Sequence, residues 1–281
     1  LDWFEATETW IELLLIIAAF WMYVVHTLGA ASPFIDRAIF RDRNFVSSSL
    51  FMFTLGLGLM ANMALLPMLL QGLMHYPTLA AGFVLAPRGV GTLVAMALVG
   101  RLMQRIDARI LVFIGLVLTA WSLDQMSAFS AEMGDGPILL SGFIQGAGMG
   151  MVFVPMSTLA FATLGGEHRT DATALFTLVR SLGSAIGISI VAAFLARNLQ
   201  VSTSDLVQHV TPFNPALDPA TLQGLVAGAG ATVAQVAGAV ARQAQMIAFL
   251  DDFRLMEYLT LVTIPLVFLL AKPQRGAMRP M

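Results

Sequence analysis

Pro137–Leu164, PILLSGFIQGAGMGMVFVPMSTLAFATL, runs for 28 residues without an Asp, Glu, Lys, Arg or His. As a helix it would reach about 42 Å at 1.5 Å per residue, more than the roughly 30 Å of hydrocarbon in a bilayer. In lipid each backbone N–H and C=O must be satisfied within its own segment, so the stretch is expected to be a transmembrane helix. Gly142, Gly146 and Gly150 recur at four-residue spacing and Pro155 follows. Such a small-residue face invites close helix contact. Gly146 and Gly148 lie inside an apolar span rather than at a strand-to-helix turn, so a dinucleotide-binding reading fails.

The rest of the 281-residue chain has the same character, with 58% hydrophobic and 11% charged residues. Soluble domains carry about 25% charged residues, which leaves too few polar groups here to wet a globular surface. The composition also excludes a disordered chain. Six further stretches of membrane-spanning length are expected: Ile11–Ala30, Val46–Gly72, Leu79–Gly100, Ile110–Ser130, Asp171–Ala196 and Leu255–Ala271. Numbered in chain order, Pro137–Leu164 is span 5 of seven. The expected class is an all-α membrane protein. With no cysteine there is no disulfide framework, thiolate nucleophile or thiolate-held metal. His26, His75, His168 and His209 form no metal-binding spacing. No phosphate-binding loop, cofactor motif or nucleophile–base pair is present, and a net charge of −2 gives no sign of nucleic acid.

Arg and Lys in the linkers suggest an orientation. Arg37, Arg41 and Arg43 precede span 2, Arg101, Arg105 and Arg109 separate spans 3 and 4, Arg169 precedes span 6, and Lys272, Arg275 and Arg279 follow span 7. The turn between spans 2 and 3 has no base, and the next turn on that side carries Glu132 and Asp135. Short basic loops stay cytoplasmic, so the N-terminus is expected outside and the C-terminus inside. An outside start without a visible signal segment, beginning Leu1-Asp2-Trp3, leads us to expect a piece of a longer chain. Residues 197–254 are expected to form a long outer loop, irregular around Pro212, Pro215 and Pro219, with one or two amphipathic helices in Thr221–Ala248. That loop either folds over the bundle or offers a docking surface.

Ionisable groups within spans cost about 2.5–3.5 kcal/mol on insertion scales and so mark candidate sites. Arg180 lies about 14 Å into span 6 by the helical rise, with Ser184 and Gly187 on the same face and Gly183 nearby. It either lines a cavity or bonds to a neighbouring helix. Arg88 lies equally deep in span 3, directly after Pro87, which removes a backbone donor and kinks a helix. It reads as a gate or cavity wall, or as a structural partner for carbonyls freed at the kink. Asp124 is read as the sole acid well inside a span, either a proton carrier or a solvated group near the outer interface. Asn62 and Gln145 are weaker candidates, since buried amides often join helices.

These motifs together resemble a family. Phe40-Arg41-Asp42-Arg43-Asn44-Phe45, Leu85-Ala86-Pro87-Arg88-Gly89-Val90-Gly91, Gly100-Arg101-Leu102, Gln145-Gly146-Ala147-Gly148 with Phe153-Val154-Pro155, and Arg180-Ser181-Leu182-Gly183-Ser184 are similar to the EmrB/QacA-type drug:proton antiporters. These are fourteen-span members of the major facilitator superfamily. The resemblance covers essentially the whole chain. It implies that residues 1–45 hold an extra central helix and an inner linker, and that 46–281 form the C-terminal six-helix half. Gly100 to Arg109 would be the second copy of the inner-loop motif, where Gln104 replaces the usual acid and Arg105 fits the base. The resemblance further implies a bacterial inner-membrane location, small amphipathic drug-like substrates and protons, alternating access, a companion N-terminal half, and a periplasmic adaptor at the outer loop. No enzyme activity and no cofactor are implied. The rival expectation is a non-transporting seven-span membrane protein or a truncated remnant.

Overall fold

The computed structural model describes residues 7–29, 37–165, 169–210, 223 and 230–269. Helix α1 is Thr7–Gly29, α2 is Arg37–Arg41, and α3 is Arg43–Met68, extended by a π-helical turn Leu69–Leu73. Helix α4 is Thr78–Leu102, α5 is Ala108–Ser127, α6 is Asp135–Phe161, α7 is Arg169–His209, and α8 is Gly230–Thr263, ending in a 3-10 turn Ile264–Leu269. The described residues contain no strand, and the chain is an all-α, multi-pass membrane protein. Six helices are long and apolar enough to cross a bilayer. Helix α8 is the seventh long helix, with Asp251, Asp252, Arg254 and Glu257 midway along it.

Local chemistry sets the ends. Asp42 caps α3 by accepting from the Phe45 N–H at 2.9 Å, and Asp107 caps α5 by accepting from Arg109 N–H at 3.1 Å, each satisfying an orphan donor of a first turn. Pro67 sits inside α3 immediately before the π turn. His75, at φ 56°, closes the turn into α4, in a left-handed conformation that only a few per cent of non-glycine residues adopt. The Tyr76 hydroxyl donates to Asp135 Oδ1 and ties that turn to the start of α6. That bond, burial and the negative charge of Asp135 hold the phenol above its ordinary pKa.

Helices α3 to α8 form the bundle. The closest pairings are α4 with α6, α5 with α6, and α3 with α7, while α8 rests on α5 and α7. If α3–α5 and α6–α8 are two three-helix units, α3–α7 and α4–α6 are equivalent crossings between them. Such interlocking suits the inverted repeats found in transporters. Two apolar layers fill the bundle. One, at the arginine-rich end, includes Phe45, Phe51, Leu116, Met156 and Phe176, and the other includes Leu66, Leu70, Met126, Phe249 and Phe253. At the waist the helices meet backbone to backbone. A Cβ at Gly146 would strike the Arg88 carbonyl, and one at Gly150 would lie 2.8 Å from Ala95 Cβ. On the other side, a Cβ at Gly183 or Gly187 would run into the carbonyls of Phe53 and Leu57. Gly142 is different, because its nearest contact would be Arg88 Cβ at an ordinary 3.9 Å.

Helix α1 exposes apolar residues all round, including Leu14 and Met22, both 70% exposed, as befits a helix in lipid. The segment 197–254 departs from the expected loop. Helix α7 continues unbroken through Arg197 to His209, and α8 begins at Gly230 rather than near Leu255. The charged cluster at 251–257 lowers the local hydropathy, yet Ala244, Ala248, Phe249 and Phe253 are fully buried, so packing carries the helix through it. Asp2, Trp3, Phe4, Ala30, His168, Pro212, Pro215, Pro219, Lys272, Arg275 and Arg279 lie outside the described residues.

Candidate functional site

Helix α6 offers a contact to each of the two span arginines, on successive turns. Arg88, 8% exposed, extends from α4 and sets Nη2 3.8 Å from the Met149 sulfur. Its Nε has no hydrogen-bond partner among the described residues. Arg180 extends from α7 and stacks its guanidinium 5.4 Å from the Phe153 ring centroid, within cation–π range. Met149 and Phe153 are four residues apart and share a face of α6. Both line a small cleft of about 30 Å³ with Met52, Gly56, Met60 and Arg180. The arrangement is a cationic, sulfur- and ring-lined cleft at the waist of the bundle. It can attract an anionic or hydrogen-bond-accepting group while soft apolar walls adapt to the remainder of a ligand.

The glycine contacts place these side chains. The Thr92 hydroxyl donates to the Gly146 carbonyl at 3.0 Å, locking α4 against α6 one turn beyond Arg88. A Cβ at Gly56 would lie 2.8 Å from the Arg180 carbonyl, so α3 and α7 touch at the level of Arg180. Pro87 lies inside α4 next to Arg88, and Pro155 lies inside α6, nine residues beyond the Gly146 contact.

The other candidates fall elsewhere. Ser184 donates to the Arg180 carbonyl at 2.9 Å, so its hydroxyl is used within its own helix. Gln145 is fully buried, with both amide atoms unpartnered among the described residues. It stands one turn from Ser141, whose carbonyl accepts from Ser122 of α5 at 2.7 Å, on the α5 side of α6. Asn62 donates to the Met126 sulfur at 3.6 Å within the second apolar layer, and its Oδ1 is unpartnered. Gly100, Arg101 and Arg105 are exposed at the end of α4 and the following turn, and Arg109 is half-buried in the first turn of α5.

Asp124 does not join the arginines. It is exposed on α5, within electrostatic reach of Glu257 on α8. Asp124→Asn is accordingly expected to change stability by no more than about 0.5 kcal/mol and to leave any transport intact. Thermal melting and an export assay on the full-length protein check both. The acid enclosed by the bundle is Asp252, with no exposure. Starting the last span at Leu255 had left it in the outer loop. Its signal was present in Ala244, Ala248, Phe249, Asp252, Phe253 and Met256, spaced as one helical face.

Comparison with known proteins agrees with this architecture. The model of the Major Facilitator Superfamily matches residues 48–204. The fatty acid resistance protein FarB of Neisseria gonorrhoeae is 29% identical over 97% of this chain and 54% of its own length. The multidrug export protein EmrB of Escherichia coli K12 is 28% identical over 99% of the chain and 54% of its own length. A multidrug resistance protein B homolog of Mycobacterium tuberculosis is 31% identical over 65% of the chain and 34% of its own length. The chain thus spans about half the length of the first two relatives, in keeping with one half of an EmrB-type transporter. With its interlocked helices, glycine-packed waist and family match, the chain belongs to the major facilitator superfamily, a family of transporters rather than enzymes.

Proposed function

We propose that this chain is the C-terminal half of a proton-coupled exporter of small amphipathic, drug-like compounds that works by alternating access in a bacterial inner membrane. The observation that carries the reading is that α6 sets Met149 against Arg88 and, one turn on, Phe153 against Arg180 within the bundle. A buried guanidinium such as that of Arg88, whose Nε has no partner among the described residues, is costly at that depth unless it serves a ligand, a proton site or a water-filled cavity. The names of the relatives, a fatty acid resistance protein and multidrug exporters, favour substrates that pair an apolar body with a polar head. A carboxylate-bearing head is well suited to the arginines.

Residues 1–45 serve as the extra helix and linker, and 46–281 as the transporter half. Exposed apolar residues such as Leu79, Phe83 and Leu93 on α4 and Leu178 and Leu182 on α7 supply surface for lipid and for a companion N-terminal half. The basic linkers support an orientation with the arginine-rich end in the cytoplasm, the N-terminus of this chain outside and its C-terminus inside. The α7–α8 connection then faces the periplasm, where an adaptor protein would dock.

The test is reconstitution of the full-length protein in liposomes with an imposed pH gradient. Uphill movement of an amphipathic dye that collapses with the gradient is expected. Dye movement indifferent to the gradient defeats the proton-coupled reading, and no movement of any amphiphile defeats the exporter reading.

A further inference from the structure

A second cavity, of about 390 Å³, lies between α3, α7 and α8, away from the arginine cleft. Its walls include Ala61, Leu65, Ile188, Leu199, Gln245 and Ala248. Since α8 runs antiparallel to α3 and α7, Leu199 and Gln245 mark the end nearer the α7–α8 connection. Ile188, Ala61 and Ala248 mark the deep end. Asp252 follows Ala248 by one helical turn, and Asn62 follows Ala61 in α3. Both are fully buried. Neither oxygen of Asp252 and not the Oδ1 of Asn62 has a hydrogen-bond partner among the described residues. Asp252 thus lies on the same face of α8 as Ala248 of the slot wall, one turn deeper, in an otherwise apolar layer that includes Phe249, Phe253 and Met256.

An ionised carboxylate without a partner is too costly in such a layer, whereas a protonated one loses much less. Among the described residues no cation is shown pairing with it. Asp251 is the charged neighbour whose field reaches it. Helix α3 presents no ionisable residue between Asn44 and Leu73. Helix α5 offers Asp124, which faces Glu257. Helix α7 carries Arg180, committed to Phe153, and exposed Arg197, Asp205 and His209. On α8 itself Arg242 and Arg254 are exposed. The slot is many times larger than the roughly 30 Å³ share of one water molecule, and Gln245 supplies a polar side chain in its wall.

We propose that Asp252 is a proton-binding site, loaded through the slot from the end of the bundle that carries the α7–α8 connection. Protonated, the carboxyl lets α8 pack against α3 and α5. On losing the proton to water in the slot, it becomes an anion that the layer cannot hold, and α8 must shift or hydrate. The role of this proton in driving export rests on the exporter reading, but the site itself does not.

The full-length protein in lipid is examined by infrared spectroscopy across pH, as wild type and Asp252→Asn. A protonated-carboxyl band that fades at high pH and is missing in Asp252→Asn is expected. Identical carboxyl bands in the two proteins at every pH overturn the proposal. Should Asp252→Asn fail to fold, Asp252→Glu gives the same reading, by shifting the band if the proposal holds and leaving it in place if it does not. This chain has no cysteine, and in a full-length background freed of any other cysteine Gln245→Cys carrying a bulky thiol reagent plugs the slot selectively. Slower hydrogen–deuterium exchange of the band is expected, and an unchanged rate overturns the slot as the route. In liposomes, Asp252→Asn should lose gradient-driven export while retaining downhill substrate exchange. Export equal to wild type overturns the carrier role. If the wild type exports nothing, the exporter reading falls while the infrared titration still decides the site.

Discussion

Gly146→Ala is expected to destabilise the bundle by about 1–3 kcal/mol, the usual cost of overpacking a closed contact, and Gly146→Val by more. The added methyl would collide with the Arg88 carbonyl oxygen, with the carbonyl carbon 2.8 Å and Thr92 Oγ1 3.0 Å away. Backbone atoms cannot swing aside as a side-chain tip does. Thr92 cannot leave without losing its bond to the Gly146 carbonyl, so α4 and α6 would have to separate along the crossing that positions Arg88. Gly142→Ala, one turn earlier, meets only an ordinary 3.9 Å contact and should melt like the wild type. Detergent-solubilised full-length protein compared by thermal unfolding decides the matter. Equal melting temperatures for the Gly146 and Gly142 variants would show that the waist is looser than its geometry implies.

Arg180→Ala should abolish drug-resistance growth while leaving membrane abundance unchanged. Arg180 is only half-buried, and its main side-chain contact is the Phe153 ring. Losing a cation–π contact costs about 0.5–2 kcal/mol, which is small beside the apolar layers on either side. The loss should therefore appear in transport rather than in folding. Arg180→Lys keeps the charge but not the planar fork that stacks and pairs with a carboxylate, so it should export anionic amphiphiles worse than cationic ones. Full resistance in Arg180→Ala, at normal abundance, would remove Arg180 from the substrate path and leave the cleft a packing feature.

The two acids mark the limit of reading the sequence alone. Asp124 interrupts a long apolar run and so stands out by local contrast, yet it faces outward toward Glu257. Asp252 sits in a charged cluster that looks like loop, yet it is fully buried in a helix that packs on α3, α5 and α7. Hydropathy averages over all faces of a helix, whereas burial depends on which face another helix covers. The same limit applied to the glycines. Gly142, Gly146 and Gly150 form one stripe, but only the last two press into α4, because two crossing helices touch over a short length.

By itself the sequence determined what depends on local chemistry: long apolar helices, the arginine-rich linkers, and two guanidinium groups too deep in their spans to be incidental. A helix satisfies its own backbone, so its existence in lipid needs no neighbours. The tertiary structure alone decided which side chains share a site. Arg88 and Arg180 are 92 positions apart, and they reach neighbouring turns of α6, at Met149 and Phe153, only because α4 packs on α6 and α3 carries α7 beside it. Asp252 became an enclosed acid by the same means, since enclosure comes from the helices packed around a residue rather than from its neighbours in the chain.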